Sequence, residues 1–74
     1  MGSNIMRNSC WVIKVIYLDK RDINFNEAYW TFDKCKAAIL KKIELDDLNV
    51  IDDFTFMDMN SDIIYEAKHV DIFE

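Results

Sequence analysis

The chain has 74 residues, of which 51% are hydrophobic and 14% aromatic, and its formal net charge is -5 at pH 7. This composition excludes a disordered polar segment, and a chain of this length forms one domain that buries only about 60% of its unfolded surface. The longest apolar run, residues 10–18, contains Lys14 and is far shorter than the roughly 20 residues of a membrane span. We therefore expect a small folded domain without a membrane segment and, since no secretory leader is recognisable, a cytoplasmic location.

The N-terminal residues 1–8 show no periodic pattern and begin with Met1-Gly2-Ser3, which is typical of a cloning remnant. We predict a flexible N-terminus over 1–8 and a single α+β domain over 9–74. The two cysteines, Cys10 and Cys35, would form a disulfide only if a strand start and a helix start adjoined. In a leaderless chain, two isolated cysteines are more often small buried hydrophobes, and we expect free thiols.

Residues 10–18, CWVIKVIYL, are rich in β-branched and aromatic side chains on both phases, which predicts a central strand. Residues 19–22 form a polar turn, and residues 23–32 continue as a second strand. Its apolar phase changes between Phe25 and Ala28, which indicates a β-bulge near Asn26-Glu27. The two strands are predicted to form a hairpin.

From residue 34 the apolar spacing becomes that of a helix, with Cys35, Ile39 and Ile43 on one stripe. Asp33 is the favoured N-cap, and Thr31 is the competing choice. The opposite face is basic and carries Lys34, Lys41 and Lys42.

Residues 44–53 fit either a frayed helical turn or a loop held by its apolar residues, and the sequence does not decide between them. Residues 54–59 alternate as a strand, Asn60-Ser61-Asp62 makes a turn, and residues 63–73 form a long last strand with a second bulge near His69. The predicted order is ββαββ, in which an antiparallel sheet packs on one amphipathic helix. The order of the strands within the sheet stays open.

Catalytic and metal-binding patterns fail on inspection. Residues 58–62 read D-x-N-x-D like a calcium loop, but Ile63 stands where Gly is needed and His69 where a closing Glu is needed. His69 is the only histidine and has no recognisable nucleophile beside it, and the single glycine, Gly2, excludes a phosphate-binding loop. We predict no enzyme activity, no cofactor and no metal.

Charge is distributed unevenly between the two halves of the chain. Residues 1–43 carry eight basic and four acidic residues, a net charge of +4, whereas residues 44–74 carry ten acidic residues and Lys68, a net of -9. Three explanations compete: ordinary solvated faces, a positively charged protein partner, or nucleic-acid binding through the lysine face of the helix. The last is disfavoured because a net acidic protein repels phosphates at long range.

In its size and acidity, the chain resembles the small phage and mobile-element proteins that inhibit host nucleases and defence complexes, the anti-CRISPR proteins among them. The resemblance implies an acidic, nucleic-acid-mimicking inhibitor without enzyme activity. Its partner would be a basic protein surface, such as that of a nucleic-acid-binding protein or nuclease, with no direct binding of nucleic acid. The acidic run itself supplies the predicted contact residues: Asp46, Asp47, Asp52, Asp53, Asp58 and Asp62.

A second hypothesis concerns the last strand, residues 63–73. Ile64, Val70 and Ile72 make its second side more apolar than a solvent-facing strand side should be. This favours a small structural or accessory module whose last strand lies at a sheet edge and pairs with its equivalent in a homodimer.

Overall fold

The computed structural model describes residues 9–20 and 22–71, with only the backbone at Asp22. It confirms a single α+β domain with an antiparallel sheet and one helix, and it adds a strand to the predicted order, which becomes ββαβββ. The prediction for residues 1–8 and the end of the predicted last strand, residues 72 and 73, lie outside the described residues. The elements are β1 Ser9–Tyr17, β2 Asp22–Tyr29, α1 Phe32–Lys41, a 3-10 turn Leu45–Asp47, β3 Leu48–Asp52, β4 Thr55–Asp58 and β5 Ile63–Asp71.

The sheet has the order β2-β1-β5-β4-β3, so β2 and β3 are its two edges. β5 pairs with β1 on one side and with β4 on the other, which makes the predicted edge position of the last strand wrong. The pairing of β4 with β5 ends at Thr55↔Glu66. The last hydrogen bond on this side of β5 runs from the Ala67 N–H to the Phe54 carbonyl (2.8 Å). Beyond it, β5 has only β1 beside it within the described residues.

One of the two predicted bulges is present. The β1–β2 register passes from Val12↔Ala28 to Lys14↔Phe25, which inserts an extra residue into β2 at Asn26-Glu27, as predicted. The second prediction is wrong, because β5 pairs with β1 without interruption and Trp11 lies opposite His69. The apolar residues near the end of β5 change phase because both faces of this strand carry apolar side chains.

Helix α1 begins after Thr31, whose backbone is extended (φ -124, ψ 154) and whose Oγ1 accepts a hydrogen bond from the Lys34 N–H at 3.2 Å. Thr31 is therefore the N-cap rather than Asp33, which lies in the first turn, where its charge favours the helix dipole. The helix covers one face of the sheet and buries Cys35 and Ile39 completely.

Strand β3 is the element that the sequence left undecided. It is short and largely exposed, with 57% of Val50 and 49% of Ile51 accessible, and it is held by pairing with β4 alone. Its register with β4 shifts between Val50 and Asp52. A strand held mainly by one neighbour shows little of the alternation that burial of one face produces.

The core lies between α1 and the sheet, and each large aliphatic side chain buried there stabilises the fold by about 1.5–3 kcal/mol relative to exposure. Cys10 and Cys35 are buried free thiols, as predicted. No helix within residues 9–20 and 22–71 is long and apolar enough to cross a membrane. The core side chains are Ile13, Val15, Cys35, Ile39, Ile43, Phe56, Tyr65 and Ala67.

Candidate protein-interaction surface

Four of the six predicted contact residues lie along one edge of the sheet. Asp46 and Asp47 belong to the 3-10 turn that precedes β3, and Asp52 and Asp53 end β3 and begin its turn into β4. At about 3.3 Å per residue, the two pairs are roughly 17 Å apart along the strand. We call these four residues the acidic edge.

Asp58 serves the fold rather than the surface. It is only 9% exposed, and its Oδ1 accepts hydrogen bonds from the N–H groups of Asn60 (3.0 Å) and Ser61 (3.3 Å). The Asp62 N–H donates to the Asp58 carbonyl at 3.0 Å, and Asp62 itself is exposed with a positive φ of 56°. The D-x-N-x-D pattern is thus a side-chain-capped turn in which Asp58 is nearly buried.

Asp62 lies at the same end of the sheet as the first pair of the acidic edge. The Met59 N–H donates to the Asp47 carbonyl at 2.8 Å, which holds the β4–β5 turn against the 3-10 turn. Asp62 therefore extends the first pair, whereas Asp52 and Asp53 are at the opposite end of the β3–β4 hairpin.

Asp52 combines exposure with a local structural role. Its Oδ1 accepts a hydrogen bond from the Phe54 N–H at 2.8 Å. This bond, and a further one from the Thr55 side chain, lower the pKa of the Asp52 carboxyl. The hydrogen bonds favour the ionised form, so this carboxylate stays charged at neutral pH.

None of the acidic-edge carboxylates is neutralised by the described part of the chain. The ion pairs found there join Lys14 to Glu66 (3.9 Å) and Lys42 to Glu27 (3.7 Å), both away from β3. Within that same part, no group of three or more His, Cys, Asp or Glu residues is placed to share a metal ion. Among the described residues, the acidic edge is thus two pairs of carboxylates without an ion-pair partner.

Apolar side chains accompany these carboxylates. Leu45 is 86% exposed and Met59 54% exposed at one end of the hairpin, Val50 and Ile51 are exposed between the ends, and Phe54 is 45% exposed at the other. Exposed apolar side chains that lie together in this way mark a surface that a partner can cover.

Phe54 belongs to an aromatic cluster that the sequence did not reveal. Its ring stacks on that of Trp11, with ring centroids 5.9 Å apart and an interplanar angle of 10°. It meets the Phe32 ring edge-on, with centroids 5.2 Å apart. His69, on the adjacent strand, has its ring centroid 4.8 Å from that of Trp11. A shallow depression of about 260 Å³ opens beside this cluster, and it is lined by Trp11, Phe54, Glu66, Ala67, Lys68 and His69. Its residues come from β1, β5 and a turn, which only the folded chain brings together.

The lysines predicted on the outer face of the helix lie at the other edge of the sheet. A groove of about 470 Å³ runs between α1 and β2, and one of its lysines, Lys42, is paired with Glu27. The two signs of charge are thus separated across the sheet, with lysines beside β2 and aspartates beside β3. The groove is lined by Tyr29, Lys34, Ala37, Ala38, Lys41 and Lys42.

The fold and this surface define an α+β domain with an exposed acidic sheet edge. No protein-family model matches the chain, and neither the curated proteins nor the solved structures contain a significant match.

Proposed function

We propose that this protein is a non-enzymatic acidic interaction module that binds a basic surface of a partner protein through its acidic edge. One observation carries the proposal: four carboxylates that form no ion pair with any cation of the described residues flank the exposed strand β3. A partner surface that places cations at both ends of an apolar contact would complement this arrangement in charge.

The spacing of the carboxylates favours a nucleic-acid-binding site as the partner surface. Over about 17 Å, one strand of duplex DNA carries about five phosphates, whereas the two strands together carry about ten. The acidic edge supplies Asp46, Asp47, Asp52 and Asp53 over a similar length, which approaches the charge of a single strand. A protein that blocks a nuclease or another nucleic-acid-binding protein, in the manner of phage and mobile-element inhibitors, fits this arrangement.

The same aspartates also have a simpler use. Charged residues at the ends of an exposed edge strand discourage pairing with another chain and so prevent aggregation. In that case, removing the charges should cause aggregation without the loss of any specific partner.

The experiment compares three immobilised proteins in a pull-down from host lysate: the wild type, a hairpin variant and a charge-matched control. The hairpin variant changes Asp46, Asp47, Asp52 and Asp53 to Asn. The control removes the same number of charges elsewhere. Its changes are Asp19→Asn, Glu27→Gln, Asp33→Asn and Asp71→Asn.

We expect a basic protein that the wild type and the control retain and the hairpin variant loses. A single-stranded oligonucleotide should compete for this protein after purification, and raising NaCl from about 0.05 to about 0.5 M should weaken the complex through screening. If the hairpin variant retains the same proteins as the wild type, the acidic edge is not a binding surface.

A further inference from the structure

The face of the sheet opposite α1 carries a continuous row of apolar side chains. Residues directly opposite each other on paired strands share a face. The register aligns Met57 with Ile64, Ile64 with Ile16, and Ile16 with Ile23, so the row crosses β4, β5, β1 and β2. Further apolar residues on this helix-free face are Val12, Phe25, Ala28 and Val70.

A solvated face of an antiparallel sheet is normally polar. On the helix-free face, in contrast, Ile23 is 51% and Phe25 is 59% exposed, and Val12, Ile16, Ile64 and Met57 are only partly buried. The single helix packs on the other face, and no described helix or strand lies across this one. An apolar patch of this kind marks an interaction surface.

We infer that a second copy of the chain covers the helix-free face, so that two sheets pack face to face as a symmetric dimer. The charges at the centre of the face identify this occupant. Lys14 and Glu66 are directly opposite each other on β1 and β5, 3.9 Å apart, with 25% and 35% of their side chains exposed. In a two-fold interface each Lys14 can meet the Glu66 of the second copy, so the face is self-complementary.

The remaining charges are compatible with this packing. Lys68 is opposite Val12 and adds a cation to the helix-free face. On this face, the central strands β1 and β5 therefore carry no excess of negative charge, although the whole chain has a net charge of -5. Sheets pack face to face about 10 Å apart, a separation that interdigitated Ile, Val and Met side chains fill. Asp46, Asp47 and Asp53 lie in the turns at the two ends of the edge strand β3, whereas Asp52 is opposite Thr55 and so lies at the margin of the helix-free face. The inference uses the central strands β1 and β5 and does not rest on the proposed function.

Sedimentation velocity over a wide concentration range tests the dimer with two charge reversals. K14E places two carboxylates against each other across the two-fold axis, and E66K places two lysines there, so each variant alone should bind itself at least about tenfold more weakly than the wild type. An equimolar mixture of K14E and E66K should restore the dimer, because each chain then offers the charge that the other lacks.

Controls separate this effect from a loss of folding. K41E reverses an exposed lysine of α1 and should dimerise like the wild type, and circular dichroism reports whether each variant is folded. Phe25→Ser removes an exposed side chain of the same face and should weaken the dimer even if the charge variants unfold. A wild-type protein that remains monomeric up to millimolar concentration overturns the inference, as does a dimer that Phe25→Ser and both charge reversals leave unchanged.

Discussion

Asp58 and Asp52 each turn a carboxylate back onto the backbone that follows, but with different exposure. Asp58 is nearly buried and accepts hydrogen bonds from the N–H groups of Asn60 and Ser61, whereas Asp52 is exposed and accepts one from the Phe54 N–H at 2.8 Å and others from Thr55. The chain has a single glycine, Gly2, and no proline, so its turns depend on side chains such as these. Part of the acidic run therefore stabilises turns through side-chain hydrogen bonds.

Replacing Asp58 by Ala should lower the free energy of unfolding by about 1–3 kcal/mol, because the Asn60 and Ser61 N–H groups lose a charged acceptor whose hydrogen bonds to them are partly buried. Asp58→Asn keeps an acceptor oxygen and should cost less. Urea unfolding measures both, and Asp53→Ala, at an exposed position, should stay within about 0.5 kcal/mol of the wild type. Equal losses for Asp58→Ala and Asp53→Ala would contradict the structural role of Asp58.

The lowered pKa of Asp52 predicts a pH dependence of stability. Because the folded-state pKa lies below the ordinary value of 3.8, the ionised group stabilises the fold above that value, and this contribution disappears as pH falls through the folded-state pKa. Asp52→Asn cannot titrate, so the stability difference between wild type and variant should be constant near neutrality and shrink below about pH 4. Urea unfolding at a series of pH values measures it, and a difference that does not change with pH would refute the prediction.

At the scale of elements, helix α1 shows how a cap is chosen. Thr31 and Asp33 both suit an N-cap by residue type, but only Thr31 has an extended backbone and reaches the N–H three residues on. The choice depends on where the chain leaves β2 and turns back over the sheet.

Thr31→Ala should destabilise the protein by about 1 kcal/mol, because the Lys34 N–H loses its side-chain acceptor. Asp33→Ala removes only a favourable charge near the helix N-terminus and should destabilise the protein by about 0.3–1 kcal/mol. This loss of stability should become smaller at high salt, because salt screens the interaction of the charge with the helix dipole. Thermal unfolding of the two variants at low and high NaCl distinguishes them. A larger and salt-dependent loss for Asp33→Ala would make Asp33 the cap.

At the scale of the whole molecule, charge separation is the dominant feature. The lysine groove and the acidic edge lie at opposite edges of one sheet, so they neutralise each other only weakly over that distance at physiological salt. The net charge of -5 then works against compactness through self-repulsion, which screening by salt relieves.

Sodium chloride should therefore raise the melting temperature, and millimolar Ca²⁺ or Mg²⁺ should raise it no more than NaCl of matched ionic strength. Specific binding to the native state would add a stabilising term that screening lacks. Differential scanning calorimetry of the wild type and of the Asp58→Asn, Asp62→Asn double variant provides the measurement. A saturable, ion-specific rise that the double variant lacks would reveal a metal site.

Local patterns in the sequence are sufficient to predict the α+β class, the first hairpin with its bulge at Asn26-Glu27, the amphipathic helix and the two buried thiols. These features follow from local periodicity, because a strand repeats its faces every second residue and a helix every 3.6. The bulge was recognisable because Phe25 and Ala28 belong to different phases of one strand.

The folded chain, in contrast, is needed to place β5 between β1 and β4 and to reveal β3, the burial of Asp58 and the aromatic cluster around Trp11. Apart from β3, which pairs only with the neighbouring β4, these features depend on contacts between residues far apart in the chain. Strand β3 has one paired neighbour and little burial, so it carries almost no alternating pattern. The apolar residues on both sides of β5, which suggested an edge and a bulge, instead serve two faces, one against the helix and one that the described chain leaves uncovered. Sequence periodicity shows that a strand has two apolar faces, but strand pairing determines what each face meets.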